Sequence, residues 1–196
     1  MSRRLRRGFF DRAPLEVAPD LLGKVLVAGA RSGRIVEVEA YRGSDDPGSH
    51  GYRGVTPRTE VMFGPPGHLY VYFSYGMHWC ANVVCAAEGV CGAVLVRALE
   101  PLTGVDAMYA ARSKAKRDRD LCSGPAKLCQ ALAIDGAHDG LDLTSAELGV
   151  ELRDDGHVVS EVASSVRIGL SVGKGETLPW RFFVPGDLNV SATPRR

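Results

Sequence analysis

The chain has 196 residues, of which 45% are hydrophobic and 24% charged, and its formal net charge is +1. This length and composition predict one globular domain with its own core, and no apolar run approaches the roughly 20 residues of a membrane span. A net charge this small gives no indication of a nucleic-acid partner. The basic start of the chain lacks the apolar segment of a signal peptide, so we expect a cytoplasmic protein.

Local charge and cysteine spacing add two expectations. Positive charge collects in residues 3–7 and 112–119, and solvated surface charge is the simpler interpretation of both runs. The five cysteines are an odd number, which favours reduced thiols over a disulfide framework. No CxxC or HxxxH spacing occurs, so we expect no metal site.

The first half of the chain predicts a short helix, a strand pair and a long loop. Residues 1–8 are interpreted as a basic flexible tail, and residues 9–196 as the single domain. Residues 13–23 predict one or two helical turns that end at Gly23. "KVLVA" and "GRIVEVEAY" predict two strands joined by the turn "GARSG". Residues 42–66 are polar and rich in glycine and proline, which is typical of a functional loop.

The second half predicts further strands and two helices. "HLYVYFSY" and "HWCANVVCA" form a protruding β-hairpin with its turn at residues 75–77, and "GAVLVRAL" is another strand. One helix begins at Thr103, and a second spans residues 123–134 with Ser123 as its N-cap. "VELRD", "SVRIGLSV" and "WRFFV" predict strands near the end. Because strands and helices cluster instead of alternating, the fold class is α+β: one domain of mixed, mostly antiparallel β-structure with peripheral helices.

Two carboxylates in "IVEVEAY" lie on one face of a predicted strand. Glu37 and Glu39 are two residues apart, which places them roughly 6 to 7 Å from each other, and like charges so close need compensation. Arg97 lies on a very apolar strand and cannot be neutralised, so it needs a carboxylate or a ligand. We expect Glu37 or Glu39 to pair with Arg97; a purely structural ion pair is an equal alternative.

Two further features are compatible with binding a polyanion. Tyr75 and Met77 flank a glycine at the hairpin turn, where solvent is expected, and apolar wedges of this kind separate stacked bases. The helix beginning near Ser123 offers free backbone N–H groups with Lys127 in its first turn, which suits an anion such as phosphate. An ordinary capped helix with a surface lysine explains the second feature equally well. His50, taken alone, is a surface or packing histidine.

Four segments together resemble one protein family. They are "RIVEVEAY…SH", "TPRTEVMFGPPGHLYVYFSYGMHWCANVV", "VLVRALEP" and "DLCSGPAKLCQAL". In this order they are similar to the 3-methyladenine (alkyladenine) DNA glycosylases, from about Leu15 to Val190. The resemblance implies a monofunctional enzyme of base excision repair, which binds duplex DNA, flips a damaged purine and hydrolyses its N-glycosidic bond. The damaged purine is alkylated, and deaminated or etheno purines also fit an aromatic slot.

The resemblance also implies roles for individual residues. Glu39 is the general base, and Arg97 and the backbone carbonyl of Ile168 hold the attacking water. The aromatic base pocket is implied for Tyr41, His50, Tyr72 and Asn82. The DNA wedge is implied for Tyr75 and Met77, and the phosphate contacts for Ser123, Gly124 and Lys127. Asn82 would disfavour the 2-amino group of guanine, and Glu37 is expected to be a structural support. His78 departs from the aromatic that the family often carries there.

Two other function classes are compatible with parts of the sequence. A glycosidase or nucleoside hydrolase would use Glu37 and Glu39 as an acid and base pair. A non-catalytic DNA-binding module is the other alternative, but it does not explain why the strand carries Glu39, since a carboxylate at a DNA surface repels phosphate. The expected partner is double-stranded DNA with damaged purines, the expected state is a monomer without membrane contact, and no cofactor is expected.

Overall fold

The protein is an α+β domain built on one antiparallel sheet, seen here in a computed structural model that describes residues 2–145 and 149–191. The strands follow the order β1-β7-β2-β3-β6-β5-β4, with β9 attached to β3 and β8 to β9. Every strand pairing among the described residues is antiparallel. The strands are β1 Arg3–Arg4, β2 Val25–Ala28, β3 Arg31–Tyr41, β4 Leu69–Ser74, β5 His78–Val84, β6 Ala93–Thr103, β7 Val150–Asp154, β8 Ala163–Ser165 and β9 Arg181–Phe183.

Short helices cover the sheet. They are α1 Arg7–Phe10, α2 Pro14–Leu21, α3 Val105–Ala111, α4 Asp118–Leu121 and α5 Pro125–Leu132, with 3-10 turns at His50–Arg53, Glu60–Phe63 and Gly136–His138. Their apolar sides, together with one face of the sheet, form a core whose largest fully buried members include Phe10, Leu26, Leu99 and Leu128. No helix within the described ranges is long and apolar enough to span a bilayer.

Strand β3 is the middle strand of the seven-strand order, and it pairs with three other strands. Along one edge it pairs with β6 over most of its length. Along the other edge it pairs first with β2, through Arg31–Arg34, and then with β9, through Glu37, Val38 and Glu39. The acidic part of β3 is therefore enclosed between two strands, and both Glu37 and Glu39 are 0% exposed.

The β3–β6 pairing is irregular next to the two glutamates. The register shifts between Ile35 and Glu37 and again between Glu37 and Val38. As a result, Arg97 on β6 stands opposite no residue of β3 in the regular register. A bulge of this kind bends a strand and redirects a side chain. Here the Arg97 side chain next to the bulge points towards the two glutamates.

Several predicted boundaries change for physical reasons. Thr103 does not cap α3: it is the last residue of β6, its hydroxyl lies 2.8 Å from the Ser32 hydroxyl, and Gly104 is the N-cap with φ +71°. Ser123 is not the N-cap of α5 either, because it forms an isolated antiparallel bridge with Ala98, and Gly124 takes the N-cap position.

Two terminal predictions also differ from the structure. The expected strand "SVRIGLSV" (residues 165–172) is absent beyond its first residue, Ser165, which is the last residue of β8, because the Ile168 backbone turns its N–H towards a side chain of β3 instead of a neighbouring strand. The expected flexible tail is docked over part of its length: Arg3–Arg4 pair with β7, and Arg4 binds Glu151. The last five residues of the predicted 9–196 domain lie outside the described residues.

Candidate active site

A cavity of about 590 Å³ opens beside the acidic part of β3. Its walls come from β3 and β6, from the β4–β5 hairpin, from the loop after β3 and from the segment after Arg167. Eight of the predicted site residues line it: Glu39, Tyr41, His50, Tyr72, Tyr75, Asn82, Arg97 and Ile168. Met77, Ser123, Gly124 and Lys127 are not in the lining, although Pro125 at the start of α5 is.

Glu39 lies at the base of this cavity with three hydrogen-bond donors around its carboxylate. Its Oε1 accepts the backbone N–H of Ile168 at 2.7 Å and lies 3.1 Å from Arg97 Nη1. Its Oε2 accepts the Tyr41 hydroxyl at 2.8 Å. Each carboxylate oxygen can accept about two hydrogen bonds. Oε2 therefore keeps capacity for one more donor, such as a water molecule.

The Ile168 contact differs from the one that the resemblance implied. The structure brings the amide N–H of Ile168 to Glu39, whereas the implied role belongs to its carbonyl oxygen. The N–H fixes the carboxylate, and the carbonyl contact with water stays a prediction.

Glu37 is fully engaged by other protein groups. Its Oε1 accepts Arg97 Nε at 2.8 Å, Arg181 Nε at 2.7 Å and the Ser191 hydroxyl at 2.8 Å, and its Oε2 accepts the Ser191 N–H at 2.6 Å. Burial raises the pKa of Glu37, but Arg97, Arg181 and the Ser191 N–H outweigh it and hold the pKa below its ordinary value. Glu37 therefore orients Arg97, which contacts both glutamates, whereas the sequence predicted a pair with one or the other.

A second buried ion pair supports Tyr41 from behind. Arg167 makes a bidentate contact with Asp46 at 2.6 and 2.7 Å, and both side chains are 0% exposed. The guanidinium also lies 4.6 Å from the centre of the Tyr41 ring and 5.1 Å from that of Trp180. Asp46 belongs to the loop that carries His50, so this pair ties together three parts of the cavity wall.

Two tyrosines and a histidine form the aromatic wall of the cavity. Tyr70 and Tyr72 stack at 5.6 Å, and His50 meets Tyr72 edge to face at 4.5 Å. The His50 Nδ1 lies 3.0 Å from the Tyr70 hydroxyl. Asn82 is buried on β5 and donates its side-chain amide to the Tyr70 carbonyl at 3.2 Å. The wall is thus fixed by hydrogen bonds as well as by ring contacts.

The electrostatic environment keeps the aromatic wall neutral near pH 7. Burial, with the Arg58 charge as the second cause, lowers the pKa of His50 to about 4. Burial likewise raises the pKa values of Tyr41, Tyr70 and Tyr72. Besides His50, the acidic and basic side chains that line the cavity are Glu39, Arg97 and Arg58.

The hairpin tip exposes large apolar side chains beside the cavity mouth. Tyr75 is 87% exposed and Met77 is 66% exposed. Tyr75 has φ +50°, a left-handed conformation that costs a non-glycine residue about 1 kcal/mol. The tip therefore keeps an exposed and strained tyrosine that contributes little to the core. His78 is exposed and pairs with Ser74 where the turn closes.

The beginning of α5 lies at the edge of the cavity. Lys127 is exposed, and its Nζ is 3.2 Å from the Ser123 hydroxyl. Gly124 adopts φ +151° immediately before the helix. The three predicted phosphate contacts are therefore adjacent to each other, and their contact with DNA stays a prediction.

Sequence reasoning missed three residues of the site, Arg58, Asp46 and Arg167. It also assigned no role to Tyr70, whose hydroxyl lies 3.0 Å from His50 Nδ1. The alternation that places Tyr70 and Tyr72 on one face was the available signal for Tyr70. Within the described ranges, no group of three His, Cys, Asp or Glu side chains is placed to hold a metal ion.

Comparison with known proteins shows which proteins this chain is similar to. The family model of the methylpurine-DNA glycosylases matches residues 8–188. A protein of Burkholderia lata is 56% identical over 194 residues, covering 98% of this chain and 93% of its own length. Proteins of Streptomyces avermitilis and Rhodopseudomonas palustris strain HaA2 are 48% and 50% identical, covering 98% and 95% of this chain and 94% and 90% of their own lengths. All three relatives carry the name "Putative 3-methyladenine DNA glycosylase".

Proposed function

The chain belongs to the methylpurine-DNA glycosylase family, and we propose that its catalytic step is hydrolysis by a water molecule that Glu39 activates. It is a DNA glycosylase of the 3-methyladenine type, a hydrolase of N-glycosyl bonds. The observation that carries the proposal is the position of Glu39: fully buried, at the base of an aromatic cavity, with one acceptor site unused on Oε2.

In the proposed mechanism the damaged purine is flipped out of duplex DNA into the cavity. The bond between C1′ and the purine nitrogen breaks, and its electron pair leaves with the purine while the sugar gains oxocarbenium character. The water oxygen forms a bond to C1′, and its proton passes to Glu39 Oε2. The products are the free base and an abasic site. Arg97 and Ile168 hold Glu39 in place.

The supporting DNA contacts are proposed for the hairpin tip and for α5. Tyr75, with Met77 beside it, would enter the stack at the position of the flipped nucleotide. The N–H groups after Gly124, together with Ser123 and Lys127, would contact backbone phosphates. Alkylated, deaminated and etheno purines are all flat enough for stacking on Tyr41, His50 and Tyr72, and Asn82 would disfavour guanine.

The arrangement does not favour an acid and base pair of glutamates. Among the described residues, the Glu37 carboxylate accepts its hydrogen bonds from Arg97, Arg181 and Ser191, and Glu37 does not line the cavity. A glycosidase mechanism needs a second carboxylate that reaches the substrate. We therefore assign the chemistry to Glu39 alone.

The test is release of free base from duplex oligonucleotides that carry one hypoxanthine, one ethenoadenine or one 3-methyladenine. The expected result is release of the base with the DNA strand left intact until alkali cleaves the abasic site. The same bases supplied as free nucleosides should not be hydrolysed. Hydrolysis of nucleosides without release from duplex DNA would overturn the proposal, and so would strand cleavage without alkali.

A further inference from the structure

Both of the proposed stacking tyrosines already have a guanidinium close to their rings. Arg167 lies 4.6 Å from the centre of the Tyr41 ring, and Arg58 lies 5.6 Å from the centre of the Tyr72 ring. A cation over an aromatic ring uses the negative potential of that ring. A positively charged base stacked on the same rings would meet two guanidinium ions close by.

These two arginines differ in how their charges are compensated. Arg167 is buried and paired with both oxygens of Asp46. Arg58 is exposed, and within the described ranges it has no carboxylate oxygen within 4.0 Å. Arg58 therefore adds to the cavity a positive charge that forms no ion pair with the described carboxylates, although Asp139 acts on the same Tyr70.

The other charges around Glu39 balance each other. The carboxylates of Glu37 and Glu39 contact the guanidinium groups of Arg97 and Arg181, two negative charges against two positive ones. The charge of Arg58 is additional to these four charges. Its charge acts on the groups inside the wall, because it helps to lower the pKa of His50 and opposes the rise that burial causes in the pKa of Tyr70.

We infer that Arg58 is a specificity-determining residue that biases this cavity towards uncharged damaged purines, such as hypoxanthine and ethenoadenine, over cationic alkylated purines. The inference rests on the proposed function of the cavity. A cationic 3-methyladenine is repelled by Arg58 when it enters. An uncharged purine is not repelled. The bonding electron pair makes either base more negative by the same amount as it leaves, so the difference of one charge between the two bases persists in the transition state and lowers kcat/KM for the cationic base relative to the uncharged one.

The experiment compares kcat/KM for a duplex carrying hypoxanthine with that for a duplex carrying 3-methyladenine. Arg58→Gln should raise the ratio of 3-methyladenine to hypoxanthine release about three- to tenfold, the size expected for one partly screened charge near the base. Arg58→Lys keeps the charge and should stay within about twofold of the wild type. Arg53→Gln is the matched control, because it removes an exposed arginine of the same loop that does not line the cavity.

The outcomes separate this inference from the function on which it rests. An Arg58→Gln enzyme that releases both bases at an unchanged ratio would overturn the inference and leave the glycosylase proposal intact. The same shift in Arg53→Gln would also overturn it, because the effect would then reflect charge anywhere on the loop. Wild-type protein that releases neither base from duplex DNA would instead refute the proposed function.

Discussion

Replacing Glu37 by glutamine should destabilise the fold far more than a typical loss of one surface charge. The wild-type carboxylate accepts four hydrogen bonds at 2.6 to 2.8 Å, two of them from the guanidinium groups of Arg97 and Arg181. Hydrogen bonds to a charged group contribute about 1 kcal/mol more than neutral ones. Four such bonds give about 3 to 4 kcal/mol, within the range of about 3–5 kcal/mol for breaking a buried ion pair.

The assay is urea unfolding of the wild type, Glu37→Gln and a matched control, Glu100→Gln. Glu100 lies on β6 and faces Arg34 at 3.6 Å, but its side chain is 46% exposed. The control should therefore lose no more than about 1 kcal/mol. A loss below about 1 kcal/mol in Glu37→Gln, or equal losses in both variants, would refute the reasoning.

The pH dependence provides a second check on the same residue. Since the folded-state pKa of Glu37 lies below its ordinary value of 4.5, its contribution to stability is present above pH 4.5 and is lost as the pH falls through the folded-state pKa. The free energies of unfolding of the wild type and Glu37→Gln should therefore converge as the pH falls below about 4.5. A difference that stays constant down to pH 3 would contradict the role of the charge.

Three further predictions concern the wall and the tip. Tyr75→Gly should weaken binding to lesion-bearing duplex by at least about tenfold, and equal binding would contradict the wedge. The same change should leave the free energy of unfolding unchanged or raise it by about 1 kcal/mol, since glycine accepts a positive φ. Arg167→Leu should lower the free energy of unfolding by about 3–5 kcal/mol because Asp46 is left buried and unpaired, which calorimetry or urea unfolding would measure. The His50 imidazole should titrate near pH 4 by NMR, and its pKa should rise in Arg58→Gln; a midpoint near 6.5 in the wild type would contradict the environment described here.

Much of the fold was predictable because its signals are local. Alternation of polar and apolar residues defined β3, and an uncompensated Arg97 in an apolar strand required an acidic partner, which the β3–β6 pairing supplies. The hairpin followed from two strand-like segments around Tyr75-Gly76-Met77. The boundaries at Thr103 and Ser123 failed because tertiary contacts outweighed local capping preference.

The rest of the site could not be predicted because it depends on contacts between distant loops. Asp46 and Arg167 are 121 positions apart, and both lie in irregular segments without periodicity. The register shift that accompanies the orientation of Arg97 has no mark in the sequence of either strand. The uncompensated charge of Arg58 becomes visible only when the positions of all neighbouring carboxylates are known.

The central claim is that Glu39 is the general base, and one comparison tests it most directly. Glu39→Gln keeps the shape of the side chain and an oxygen that can accept from Ile168 and Arg97, but it cannot take a proton from water. Under single-turnover conditions, hypoxanthine release from duplex DNA should fall by at least about 100-fold, while binding to the same duplex stays within about threefold of the wild type. Release at the wild-type rate would contradict the assignment of Glu39.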